Sequence, residues 1–283
     1  MKINLAKSAG FCFGVKRAIN IAFDTAETKS PIEMLGDIVH NEEVVKEIEK
    51  IGIKKVGKLT PDGNKILLIR AHGAPLKTFQ IATRLNYQIV DATCPMVKEI
   101  HKIAQDSEKK GYRIIIIGDK KHNEVQGIAG QLKEKAIIIE NIRNIPIKKS
   151  KNILRAAVVV QSTQNLEKTL AIVAILKKHI KELKFFNTIC RPTRMKQQEI
   201  RIMPKKNDVM IIIGSKTSAN TKRLYEIAKS LNRRSFWIQS KKDLKPDWFK
   251  NIKSIGITAG ASTPDSTTNE VIQYIRKDSQ QAL

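Results

Sequence analysis

Cysteine is scarce in this chain. Cys12, Cys94 and Cys190 are the only three among 283 residues, with no C-x-x-C pair and no even number from which to build a disulfide framework. A stapled secreted scaffold is therefore excluded, and a reducing compartment is expected. Long apolar runs are also missing: no stretch approaches the roughly 20 residues that a membrane-crossing helix needs. The N-terminal MKINLAKSAGFCFG enters an extended pattern without the apolar region of a signal peptide. A soluble cytoplasmic protein with no membrane partner is expected. No G-x-G-x-x-G follows a strand-like run and no flavin motif is evident, so electrons would have to come from outside the chain.

Acidic side chains are outnumbered, 27 Asp and Glu against 52 Lys and Arg, for a formal net charge of +25. Anionic partners suit such a surface: nucleic acid, phosphorylated substrates or acidic proteins. Aromatics make up only 5% of the chain, and no arginine- and aromatic-rich stretch resembles an RNA-binding strand. The lysines spread through segments such as EIEKIGIKKVGK and EIAKSLNRR, as on solvated faces. The hydrophobic fraction of 41% is enough to bury a substantial core, as one large α/β unit or as two or three small ones.

What is present is a repeat anchored on the cysteines. Residues 88 to 100, QIVDATCPMVKEI, read as a short strand, Cys94, and a proline opening an amphipathic helix. Unpaired N–H groups and the macrodipole at such a helix start favour a thiolate. Taken alone, Cys94 could equally be a small buried hydrophobe. Set in register on its three cysteines, however, the chain repeats. A glycine ending an apolar run stands 24 residues after each: IEMLG at Gly36, IIIIG at Gly118 and MIIIG at Gly214. Four residues further come His40-Asn41-Glu42, His122-Asn123-Glu124 and Ser218-Ala219-Asn220, each leading into a segment that can start a helix. A second strand in each repeat ends in hydrogen-bonding residues: His72 in KILLIRAHGAP, Ser162 and Thr163 in AAVVVQSTQ, Ser262 in IGITAGASTP. The cysteines follow strand-like runs and precede helix-like ones.

Strands alternating with helices imply parallel sheets with covered faces, whose functional groups collect at the carboxyl ends of the strands. The expected fold class is α/β, with three pseudo-symmetric small domains whose parallel-type sheets are flanked by helices. The boundaries are 13–94, 95–190 and 191–283, the N-terminal strand 1–12 closing the ring. Packed around a pseudo-threefold axis, the three units would bring their cysteines to one metal centre. Structural zinc prefers four closed ligands, usually with local spacing, and is the weaker choice. Three thiolates on a cubane cluster would leave one iron open for Lewis-acid or redox chemistry.

At this point the motifs match a family. GFCFGVKRA, VHN, AHG, DATCP, HNEVQG, QST, NTIC followed by Thr193, GSKTSANT and AGASTPD resemble, in order, those of the 4-hydroxy-3-methylbut-2-enyl diphosphate reductase (LytB/IspH) family. The resemblance runs from about Lys2 to Glu270. It implies a trefoil around a central 4Fe-4S cluster held by Cys12, Cys94 and Cys190. It also implies reductive dehydroxylation of an allylic diphosphate to isopentenyl and dimethylallyl diphosphates, the last step of the non-mevalonate pathway.

By the same resemblance, His40, His72, Ser218, Asn220 and Ser262 form the diphosphate cradle. Glu124 is the proton donor, His122 supports the proton network or the diphosphate, and Ser162 and Thr163 form a hydroxyl relay. His101 and His179 lie outside the repeat and are read as structural. Ala219 stands where many members have a second serine, leaving only its backbone N–H toward the diphosphate. After Cys190 the usual C-x-A-T-x-x-R-Q becomes CRPTRMKQ, with Pro192 and Lys196 replacing a small residue and an arginine whose guanidinium fork lysine does not reproduce. The resemblance further implies a ferredoxin or flavodoxin as electron donor, drawn to the basic surface, and a monomer or weak homodimer. By the residues alone, a nucleic-acid binder and a phosphosugar-type transferase remain rival classes.

Overall fold

The computed structural model describes residues 1–28, 30–61, 64–147 and 153–281. The described chain divides into two compact units. One comprises Met1–Val15, His40–Val44 and Arg191 to the C-terminus; the other comprises Lys16–Val39 and Val45–Cys190.

The first unit holds one four-stranded parallel sheet, in the order β1 (Lys2–Leu5), β12 (Ser254–Ala259), β10 (Val209–Ile213), β11 (Ser235–Ile238). The N-terminal strand thus pairs with the last strand of the chain, Lys2 opposite Ser254 and Leu5 opposite Ile257. The second unit holds two sheets of the same pattern. Their orders are β3 (Ile53–Val56), β2 (Ile32–Leu35), β4 (Ile66–Ile69), β5 (Gln88–Asp91), and β7 (Ile137–Ile139), β6 (Arg113–Ile117), β8 (Arg155–Val160), β9 (Glu182–Phe185). Every pairing among the described strands is parallel. Parallel strands need crossover connections, and here helices supply most of them. In chain order the helices described are α1 (Phe13–Ala26), α2 (Glu42–Lys50), α3 (Leu76–Arg84), α4 (Pro95–Lys109), α5 (Asn123–Ala129), α6 (Leu166–Lys177), α7 (Arg191–Ile202), α8 (Ala219–Leu231) and α9 (Asp265–Gln281). The three parallel α/β sheets flanked by helices are the expected fold class.

Continuous apolar runs become central strands because helices cover both sheet faces. In β6, Ile115 and Ile117 pack into a core with Val158, Ile172 and Leu176, while Ile114 and Ile116 point the other way, against Ile100, Val125 and Ile128. β10 does the same, with Ile211 and Ile213 on one face and Met210 and Ile212 on the other. Each such side chain taken from water contributes roughly 1.5–3 kcal/mol, which fixes the register of each strand and hence the height at which it ends. The chain must then leave the sheet tightly. A Cβ at Gly118 would lie 2.7 Å from Val125 Cγ2, and one at Gly214 would lie 2.6 Å from Thr221 Oγ1. Only glycine lets α5 and α8 begin so close to the strand ends.

Candidate active site

Several of the predicted site residues stand on turns beyond the strand ends, and the same turn is built three times. After β4, β8 and β12, Gly73 N–H donates to Arg70 C=O, Gln164 to Gln161 and Thr263 to Gly260, at 3.0, 3.0 and 3.1 Å. In each turn the second residue, Ala71, Ser162 or Ala261, aims its carbonyl at the neighbouring chain. Those carbonyls accept the N–H groups of Cys94, Cys190 and Cys12, at 3.0, 3.0 and 3.1 Å. The third residue of each turn is His72, Thr163 or Ser262. Three cysteines far apart in sequence therefore share one backbone anchor, each beside a turn that carries a predicted site residue.

None of the three cysteines forms a disulfide among the described residues, all three are half-buried, and each immediately precedes a helix. Cys94 is the N-cap of α4, whose first residue is Pro95, and Cys12 and Cys190 stand directly before Phe13 of α1 and Arg191 of α7. Thiols at helix starts, with no fourth cysteine in the chain, are groups that could hold a metal centre.

The second unit holds further predicted site residues. His72 and His122 meet edge to face, their rings 5.4 Å apart at 82°. His122 caps α5, its Nδ1 accepting the Glu124 N–H at 3.1 Å, which leaves Nε2 as the nitrogen able to donate. Glu124 follows within the first turn of α5 and is 1% exposed. One residue receives its carboxyl group: Ser162 donates its N–H to Oε1 at 2.6 Å and its hydroxyl to Oε2 at 2.8 Å. Burial pushes the Glu124 carboxyl up to about 7, against the two Ser162 hydrogen bonds that hold it down. It can therefore carry or release a proton near neutral pH. Thr163 does not join this pair; its hydroxyl accepts from Gln161 Nε2 at 3.1 Å. Of the two expected relay hydroxyls, that of Ser162 pairs with the carboxyl and that of Thr163 with Gln161.

In the first unit, the Ser262 hydroxyl donates to the His40 carbonyl at 2.9 Å. Ser218 caps α8, accepting the Thr221 N–H at 3.3 Å. Ala219 and Asn220 follow as the first residues of α8, where N–H groups have no intrahelical partner. Asn220 is 4% exposed, yet neither its Nδ2 nor its Oδ1 has a hydrogen-bond partner among the described residues. A buried amide left open in this way is costly unless a ligand satisfies it. Thr193 is buried in the first turn of α7. Pro192 also falls in that turn, where a missing N–H costs nothing.

Some residues around the site carry no signal in the repeat. Arg17 Nη1 donates to the Thr93 carbonyl at 3.2 Å, beside Cys94. His101 lies beside Gly73, its Cε1 2.9 Å from where a Cβ there would stand, and burial lowers its pKa to about 4, so it is neutral at ordinary pH. Lys196 is 2% exposed and donates to three backbone carbonyls. These contacts cross the fold and occur once each, so no internal repeat could reveal them. His179 lies in the turn just beyond α6.

A family model described as LytB protein matches residues 3–276. The curated 4-hydroxy-3-methylbut-2-enyl diphosphate reductase of Clostridioides difficile is 40% identical over 277 residues, covering 97% of this chain and 99% of that protein. The one from Geobacter metallireducens is 38% identical over 280 residues, 98% of each. A solved structure of (E)-4-hydroxy-3-methyl-but-2-enyl diphosphate reductase, the terminal enzyme of the non-mevalonate pathway, has a TM-score of 0.72 at 35% identity. It covers 98% of this chain and 100% of that one. The Plasmodium falciparum structure titled E-1-hydroxy-2-methyl-but-2-enyl-4-diphosphate reductase has a TM-score of 0.87 at 32% identity, covering 96% and 87%.

Proposed function

This chain belongs to the LytB protein family, and on that premise we propose that it reduces 4-hydroxy-3-methylbut-2-enyl diphosphate to isopentenyl and dimethylallyl diphosphates. Cys12, Cys94 and Cys190 hold a 4Fe-4S cluster. Their shared backbone anchor and the absence of a fourth cysteine support this ligand set. Bound there, the cluster supplies electrons in single steps and a Lewis-acidic iron for the substrate's hydroxyl end.

The protein's own groups bind the diphosphate and move the proton. The Asn220 carboxamide, the first N–H groups of α8, and Ser218 offer neutral donors to the diphosphate, as helix N-termini do for anions generally. Ala219 contributes its N–H in place of a side-chain donor. His40, His72 and Ser262 complete the cradle, with His122 donating through Nε2. Reductive loss of the hydroxyl group as water consumes two electrons and two protons, one on the departing oxygen and one on an allylic carbon, and Glu124 supplies the first. Ser162 holds that carboxyl in one orientation while burial keeps it protonated near neutral pH. Thr163 and Thr193 offer further hydroxyls to the substrate. Electrons arrive from a small acidic ferredoxin or flavodoxin attracted by the net charge of +25.

The observation that carries the proposal is the double role of Ser162. Its N–H and hydroxyl bind the proton donor, and its carbonyl anchors the Cys190 N–H. Acid and cluster ligand are thus fixed by a single residue. The test is to purify the protein anaerobically, measure iron and sulfide, and supply the allylic diphosphate with a chemical reductant. Bound iron and sulfide with formation of both products are expected. A metal-free protein, or a loaded one that leaves the substrate intact, would overturn the proposal.

A further inference from the structure

The loop between β1 and Cys12 crosses from the sheet edge to a cysteine, and such irregular backbone is held only if its polar groups find partners. Its ends are tied by backbone: Ala6 N–H donates to Ile257 C=O at 2.8 Å, and Cys12 N–H to Ala261 C=O at 3.1 Å. Its middle is held by two side chains of α7. Glu199 accepts the N–H groups of Lys7 and Ser8, both at 3.0 Å, and also the Ser8 hydroxyl. Lys196 donates its Nζ to the Ser8 carbonyl, to the Gly10 carbonyl at 3.0 Å and to the Ala259 carbonyl at 3.0 Å. The two residues are three apart and so share a helix face. One grips the loop's N–H groups and the other its carbonyls, and Lys196 also reaches the end of β12.

A buried ammonium is expensive unless its hydrogen bonds are satisfied, and Lys196 donates to three backbone carbonyls of this region. The arrangement is therefore specific to the conformation of this loop. Resting on the cysteine ligation proposed above, we infer that Lys196 and Glu199 are positioning residues for Cys12: α7 acts as a latch that sets the Cys12 loop for cluster binding. The helix begins at the residue after Cys190, so the latch makes placement of Cys12 depend on the same helix that Cys190 opens. Lysine at this position keeps the function that carbonyl binding requires, donors and a charge, without the guanidinium fork of the usual family arginine.

Hydrogen–deuterium exchange on the purified full-length protein, with iron release to a ferrous chelator measured in parallel, tests the latch. In Lys196→Met, amides of residues 7–12 should exchange about ten- to a hundredfold faster, the effect of losing hydrogen bonds to a charged group. Segments 92–94 and 188–190 should be unchanged, and iron should leave faster. Lys196→Arg should restore protection and iron retention. Glu199→Ala leaves the buried ammonium in place and serves if Lys196→Met does not fold; the same localised acceleration is expected. Unchanged exchange at 7–12, or an equal rise in all three cysteine segments, would overturn the latch. Localised acceleration with unchanged iron release would also overturn the latch as a device for cluster binding, whereas a full-length protein that holds no iron before any substitution would be a failure of the cluster proposal alone.

Discussion

Ser162 closes the Glu124 carboxyl group from one side, its N–H on Oε1 at 2.6 Å and its hydroxyl on Oε2 at 2.8 Å. The carboxyl is otherwise desolvated, and that burial outweighs the two hydrogen bonds, raising its pKa from 4.5 to about 7. Glu124→Gln keeps the size of the side chain but has no proton to give. Turnover with a chemical reductant should fall by about a hundredfold to ten-thousandfold, with substrate still binding to an iron-loaded protein. Near-normal turnover, together with loss in Glu42→Gln, would move the acid to the residue that occupies the matching position after Cys12.

The same pKa gives a signed pH dependence. The acid is in its donating form below about 7, so the rate should decline as pH rises through that value. Ser162→Ala removes the hydroxyl bond that holds the pKa down while keeping the backbone N–H and the carbonyl that anchors Cys190. The decline should therefore move to higher pH, with iron content unchanged. A shift to lower pH in the pH–rate profile would show that the hydroxyl bond favours the protonated form instead.

Stability should follow the same group. Because the folded state binds the Glu124 proton more tightly than the unfolded chain, this residue's contribution is fully present below 4.5 and is lost as pH rises through about 7. Denaturant unfolding across that window should show a downward slope in the native sequence that flattens in Glu124→Gln. An identical slope in both would assign it to other groups.

Asn220 should behave as a residue kept for binding. Its buried amide has no partner among the described residues, so removing it costs folding nothing. Asn220→Leu should melt at the same temperature or higher while binding the diphosphate substrate about tenfold to a hundredfold more weakly, the worth of a hydrogen bond to a charged group. A lowered melting temperature with unchanged affinity would make the amide structural.

For the cysteines, serine at position 12, 94 or 190 should each lower bound iron and bleach the visible absorption of the anaerobic protein. The three anchors are alike to within 0.1 Å, so the three losses should be comparable. Full iron and wild-type turnover in any one variant would strike that residue from the ligand set.

Much of this was legible along the chain because it depends on short-range pattern. Apolar runs such as IIIIG and MIIIG become buried parallel strands, glycine ends them where a helix starts close by, and equal spacing from each cysteine places His122, Ser218 and their neighbours at helix starts. Periodicity and turn chemistry act over a few residues, so sequence alone determines them. Which groups then touch is settled by sheet register and helix packing, over tens to hundreds of residues. Thr163 and Ser162 are adjacent hydroxyls in sequence, yet the turn after β8 sends only Ser162 to Glu124 and gives Thr163 to Gln161. The raised pKa of Glu124 is likewise a consequence of desolvation, which exists only once α5 is packed. Lys196 read as a departure from a motif, and its grip on Ser8 and Gly10 spans 188 and 186 residues; no local pattern encodes a contact that forms only when β1 reaches β12 at the far end of the chain.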